Sequence, residues 1–133
     1  MDVSASGHAA ALWAGLHIIL LLVLSVLVVR QRQTHKVTLG DEGVPELAQA
    51  IRAFGNATEY IPAGLVGLGV LALTGAPPWA IHLLGVVLFA GRVIHALGLS
   101  MSGGASFPRA IGTVLTWLAY VMLGVALLFY ALP

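Results

Sequence analysis

Arg52, Asn56 and Glu59 stand at intervals of four and three residues. On a helix of 3.6 residues per turn they fall within an arc of about 60°, with Gln49 on the same side, so the four make one polar stripe. Farther along, Arg92 and His95 are three apart and share a face of another helix. These side chains suit one kind of ligand: guanidinium groups take carboxylates, Glu59 takes an ammonium or pairs with an arginine, and the Asn56 amide fixes orientation. Tyr60, directly after the stripe, adds a hydroxyl. The matching ligand is small, zwitterionic and multiply carboxylated. The competing reading is that Glu59 neutralises Arg52 or Arg92 between helices, while Arg30, Arg32 and Lys36 only set membrane orientation. Spacing leaves both open, set against the rule that ionisable groups at membrane depth serve function.

The elements that position these residues must be membrane helices. Hydrophobic residues make up 59% of the 133, charged residues only 8%, and the mean hydropathy is +1.00, well outside the range of ordinary soluble domains. Crossing a hydrocarbon core of roughly 30 Å takes about 20 apolar residues in a helix, and runs of that order recur. A β-barrel would alternate apolar and polar positions, which the stretch from Ile18 to Val29 does not. Cysteine is absent, so disulfides, thiolate metal sites and a cysteine nucleophile are excluded together, and any thiol chemistry uses a ligand's thiol. A net charge of +1 with no long block of like charge argues against nucleic-acid binding.

The spans read as about 9–29, 46–74, 79–99 and 110–132, one transmembrane domain over residues 1–133. The first follows Asp2 rather than a basic segment and is longer than the core of a signal peptide. Arg30, Arg32, His35 and Lys36 come directly after it, and Pro45 suits the first turn of the second helix. That helix is polar on one face to Glu59 and apolar beyond, with Pro62 predicting a mild kink. Gly75-Ala76-Pro77-Pro78 forms a turn before Trp79, placed as an interfacial anchor. Short connections make the four an antiparallel bundle.

All six basic residues, Arg30, Arg32, Lys36, Arg52, Arg92 and Arg109, then belong to one membrane face. The positive-inside rule makes that face cytoplasmic, with both termini opposite and a bacterial inner membrane as the expected location. The small residues from Ala63 to Gly69 and at Gly85 and Gly91 predict close helix packing. A four-helix bundle is thin, so a residue such as Arg92 needs a neighbouring subunit or a watery cleft, and an oligomer is expected. His17 and His82 stand alone on apolar faces as packing residues, and no metal site is expected. Trp13, Trp117, Phe129 and Tyr130 read as interface anchors or packing.

The segment from Arg52 to Pro62 resembles the second-helix signature R-A-x-x-N-x-x-E-x-x-P of the MAPEG family, the membrane-associated proteins in eicosanoid and glutathione metabolism. Gly91-Arg92-Val93-Ile94-His95-Ala96 resembles the family's third-helix segment, and the likeness extends over essentially the whole chain. The resemblance implies a homotrimer of four-helix subunits with glutathione, as cosubstrate, bound between subunits near the cytoplasmic face. By position it gives Arg52, Asn56 and Glu59 to the glutathione backbone and carboxylates, with Tyr60, Arg92 and His95 nearby and Arg30 as a further contact. Arg109, beside Pro108, takes the place of the arginine that activates the thiol. A guanidinium near sulfur favours the reactive thiolate. The implied activity is a membrane-bound glutathione transferase or peroxidase acting on lipophilic electrophiles that arrive from the membrane lipid. Phe54 replaces a histidine or glutamine of several members, and Leu99 a tyrosine, which turns the expectation from an eicosanoid synthase to general conjugation or peroxide reduction. The alternatives are a non-catalytic glutathione- or lipid-binding protein of the same family and a small transporter component.

Overall fold

A computed structural model describes residues 3–132, and among them every regular element is an α-helix. The four are α1 (Val3–His35), α2 (Pro45–Leu73), α3 (Pro78–Met101) and α4 (Phe107–Ala131). Each is long and apolar enough to cross a membrane. The expected boundaries of α2, α3 and α4 are met to within three residues, but α1 starts six residues earlier and ends six later than the apolar run. At 1.5 Å per residue its 33 residues span about 50 Å, well beyond the hydrocarbon core. Arg30 and Arg32 are therefore helical rather than part of a loop. Gln and Arg are good helix formers, so the helix outlasts the hydrophobic signal that marks the span. It stops where Lys36 turns to a left-handed φ of 57°.

The turn into α2 is built on Asp41, whose carboxylate accepts the Gly43 N–H at 2.9 Å while its carbonyl accepts that of Val44. Pro45 then opens the helix, its missing N–H being one that the first turn leaves unpaired anyway. The expected kink at Pro62 leaves α2 as one continuous helix. Ser6 donates to the Ala76 carbonyl at 2.6 Å, tying the start of α1 to the α2–α3 turn. This end, opposite the basic one, also holds the finish of α4. The outermost termini, Met1, Asp2 and Pro133, to which the orientation expectation applied, lie outside the described residues.

Helices α2 and α3 form the central pair. α1 and α4 each pack against both, and do not meet one another. One apolar core, at the opposite end, gathers Trp13, Leu68, Leu71, Ile81, Leu88 and Leu123; the other, toward the basic end, gathers Leu24, Ala53, Ala57, Ile61, Ala96 and Leu99. Glycines set the closest approach. A Cβ on Gly98 would lie 2.6 Å from the Arg109 backbone nitrogen, and one on Gly112 would lie 2.5 Å from that of His95, so α3 and α4 meet backbone to backbone.

Of the two readings open to Trp13, packing is the one realised: the residue is buried with its ring seated against Gly85, whereas Trp79 and Trp117 are exposed. The expectation about the histidines is corrected. His17 and His82 do not stand alone. The Trp13 indole donates to His82 Nδ1 at 3.2 Å, His17 Nδ1 lies 2.6 Å from the Trp13 carbonyl, and the His17 ring meets Phe89 edge to face at 5.1 Å. Packing is still their role, but as a linked set between α1 and α3.

Candidate functional site

The polar stripe forms on α2 as its spacing predicts. Arg52 and Glu59, two helical turns apart, reach along the surface to an ion pair at 3.5 Å, with side chains 60% and 55% exposed. Asn56 lies between them in sequence, half-buried. In the single chain a cation and an anion thus occupy an outward helix face with apolar Val66 and Val70 farther along the helix.

Behind the stripe, α3 supplies a second layer. Arg92 is only 2% exposed, and its guanidinium donates to Asn56 Oδ1 at 2.8 Å. An arginine offers donors only, so the amide must present its oxygen inward and keeps its NH₂ for other partners. The same guanidinium lies 5.0 Å from the centroid of the Tyr60 ring, a cation–π contact. Tyr120 of α4 donates its hydroxyl to the Tyr60 carbonyl, and the two rings stand 6.0 Å apart. Arg92, Asn56, Tyr60 and Tyr120 therefore form a chain linking α3, α2 and α4. His95 is buried one turn beyond Arg92, packed on Gly112.

The two groups thus lie in layers: Asn56 and Arg92 meet, but Arg92 and His95 are interior residues, Arg92 holding Asn56 from behind and His95 packed toward α4. Sequence spacing marks which face of α3 they share and not whether that face looks inward. Tyr120 is the member of the layer that spacing could not find, because it acts on Tyr60 from 60 residues away.

Arg109 sits elsewhere at the basic end, half-buried in the first turn of α4, with its guanidinium donating to the Gly104 carbonyl at 3.2 Å. It lines a cavity of about 330 Å³ together with Gln49, Arg52, Leu99 and Gly103. Two guanidinium groups and an amide, with no carboxylate in the lining, make this cavity suited to an anion. Arg109 also lines a more apolar groove of about 410 Å³ with Ala105, Ala110, Thr113 and Val114. Arg109 therefore stands between two recesses, one that also holds Arg52 and Gln49 and one whose lining is more apolar. Arg30 joins neither: it is exposed on α1, which does not touch α4. Among the described residues, no group of three or more metal-binding side chains is assembled.

The sequence matches the MAPEG family over residues 10–129, including every residue of the site. It is also 40% identical over 121 residues to the inner membrane protein YecN of Escherichia coli K12, covering 91% of both chains, and matches YecN of E. coli O6:H1 to the same extent. A four-helix membrane protein with these residues on its second and third helices, matched from first span to last, belongs to the MAPEG family.

Proposed function

We propose that the chain is a membrane-bound glutathione transferase, conjugating lipophilic electrophiles, or reducing lipophilic peroxides, with glutathione thiolate. The observation that carries this reading is the position of Arg109 between the cavity it shares with Arg52 and the apolar groove along α4. A hydrophilic thiol on one side and a lipid-borne electrophile on the other would meet at one guanidinium. That charge favours the thiolate over the thiol. In conjugation the sulfur lone pair forms a bond to the electrophilic carbon while the leaving group departs with its electron pair. In peroxide reduction two glutathione molecules give up two electrons and form a disulfide, and the peroxide becomes an alcohol and water.

The Arg52–Glu59 pair supports a zwitterionic ligand. An α-amino acid group can exchange into it, carboxylate to Arg52 and ammonium to Glu59, so that two ion pairs replace one. The Asn56 NH₂, directed by Arg92, is then a donor for a ligand oxygen. Covering two charges on an outward helix face calls for a second subunit, and a homotrimer with the ligand between subunits meets that need. Arg30 would then reach the site from the neighbouring copy. By the positive-inside rule the basic end faces the cytoplasm, and the relative's name supports a bacterial inner membrane.

One observation favours a second, non-catalytic reading. Arg52 is already partnered by Glu59, as mutual neutralisation would require, and Arg92 by Asn56. The decisive experiment is an ultraviolet titration of the purified protein with glutathione, followed by an aryl-halide conjugation assay in the same detergent. Saturable thiolate absorbance with turnover supports the transferase. Binding with neither leaves a glutathione-binding protein, and no binding returns the stripe to a structural role.

A further inference from the structure

We infer that the basic end of α1 carries a binding site for the phosphate of an anionic phospholipid, formed by Arg32 and Lys36 beside the exposed Leu39. This site is separate from the glutathione reading, since neither cation lines the cavity at Arg109. Arg32, Gln33, Lys36 and Thr38 surround a recess of about 460 Å³ floored by the buried Val37. Arg32 is held in place there, donating to the Gly40 carbonyl at 2.9 Å and so keeping its other N–H groups for a ligand. The single ion pair among the described residues is Arg52–Glu59, so no carboxylate neutralises Arg32 or Lys36 at contact distance.

Depth selects a lipid. The last exposed apolar residue of α1 is Val29; Arg32 stands three residues farther, about 4.5 Å along the axis, and Lys36 directly follows the helix's last residue, His35, about 9 Å along it. A headgroup layer of roughly 5–8 Å on each side of the hydrocarbon covers most of that interval. Leu39, 83% exposed just after the recess, supplies an apolar side chain where the chain returns toward the membrane. Lys36 also holds a left-handed φ of 57°, a conformation in which glycine is at ease and lysine is not. A charged side chain at that position is explained if the charge is used. The carbonyl end of α1 opposes an anion with about half a charge, against two full charges from Arg32 and Lys36.

The test is native mass spectrometry of the full chain in neutral detergent, with phosphatidylglycerol and phosphatidylcholine of matched acyl chains at equal concentration. At about fivefold per basic side chain, the expected preference for phosphatidylglycerol is about thirtyfold. Arg32→Gln and Lys36→Gly should each lower it about fivefold, with the glutathione titration unchanged. Lys36→Gly is the cleaner variant, because glycine suits the backbone there and folding is not put at risk. An undiminished preference in Lys36→Gly overturns the proposal. So does displacement of the lipid by inorganic phosphate at equal concentration, which would make the recess a site for soluble anions.

Discussion

At the scale of single residues, the proposed function divides the site into groups that would face a ligand and groups that fix them. Arg109 is placed in the first. Replacing it with alanine should lower turnover by about a hundredfold, the usual loss when one charge-stabilising donor is removed, while glutathione affinity is largely kept. Steady-state assays beside the thiolate titration check this, and equal turnover would remove Arg109 from the chemistry. Asn56 tests the fixing layer. In Asn56→Asp the new carboxylate still accepts from Arg92, so thermal stability should hold or rise, whereas the NH₂ donors vanish and glutathione affinity should fall about tenfold or more. A variant that binds glutathione as tightly as the original would show that the amide serves packing alone. The stripe was legible in the sequence because Arg52, Asn56 and Glu59 repeat with the period of one helix. The burial of Arg92 and the bond from Tyr120 to Tyr60 were not, because each depends on which helix lies opposite.

At the scale of elements, the backbone of Arg109 is placed by the approach of α3 and α4 without side chains between them. Gly98→Ala would place a Cβ 2.6 Å from the Arg109 backbone nitrogen, a contact no rotamer can relieve, and should destabilise the fold by about 1–3 kcal/mol. Because the displaced atom belongs to Arg109 itself, turnover should fall as well. Gly69→Ala is the control: nothing lies within 4 Å of the added carbon, so it should stabilise α2 by about 0.5 kcal/mol through the unfolded chain. Thermal unfolding of both variants in detergent separates close packing from ordinary helix propensity, and equal melting temperatures would refute the close approach. The sequence showed where each helix lies within a few residues, α1 excepted. There hydropathy stopped at the first arginine while the backbone continued for another turn and a half. The Trp13, His17 and His82 set was hidden for another reason: its indole to imidazole bond joins residues 69 apart, and the contact that is local, His17 with the Trp13 carbonyl, is to backbone and leaves no mark in side-chain spacing.

At the scale of the whole molecule, the outward Arg52–Glu59 pair is the clearest argument for assembly. The mass of the solubilised complex should be three times the 13.8 kDa of the chain, and a monomer would undermine any site built between subunits. Glu59→Gln should weaken glutathione binding about tenfold, since the ammonium loses its counter-charge and Arg52 its partner. If the mass of the solubilised complex is unchanged in that variant, binding and assembly are separable. Composition made the membrane class evident from the outset, because 59% hydrophobic residues in 133 leave too little polar surface for a soluble body. Subunit number was not legible, as it rests on what covers a helix face rather than on the face itself.

The same ion pair bears on biogenesis. A lone arginine or acidic residue at mid-membrane resists translocon insertion by about 2.5–3.5 kcal/mol. Arg52 and Glu59 belong to one helix and bridge each other within it, so α2 can leave the translocon as a locally neutral segment before any other copy is present. A newly made subunit would thus carry its own temporary counter-ion, and exchange it only when a neighbour and a ligand arrive to take over the two charges.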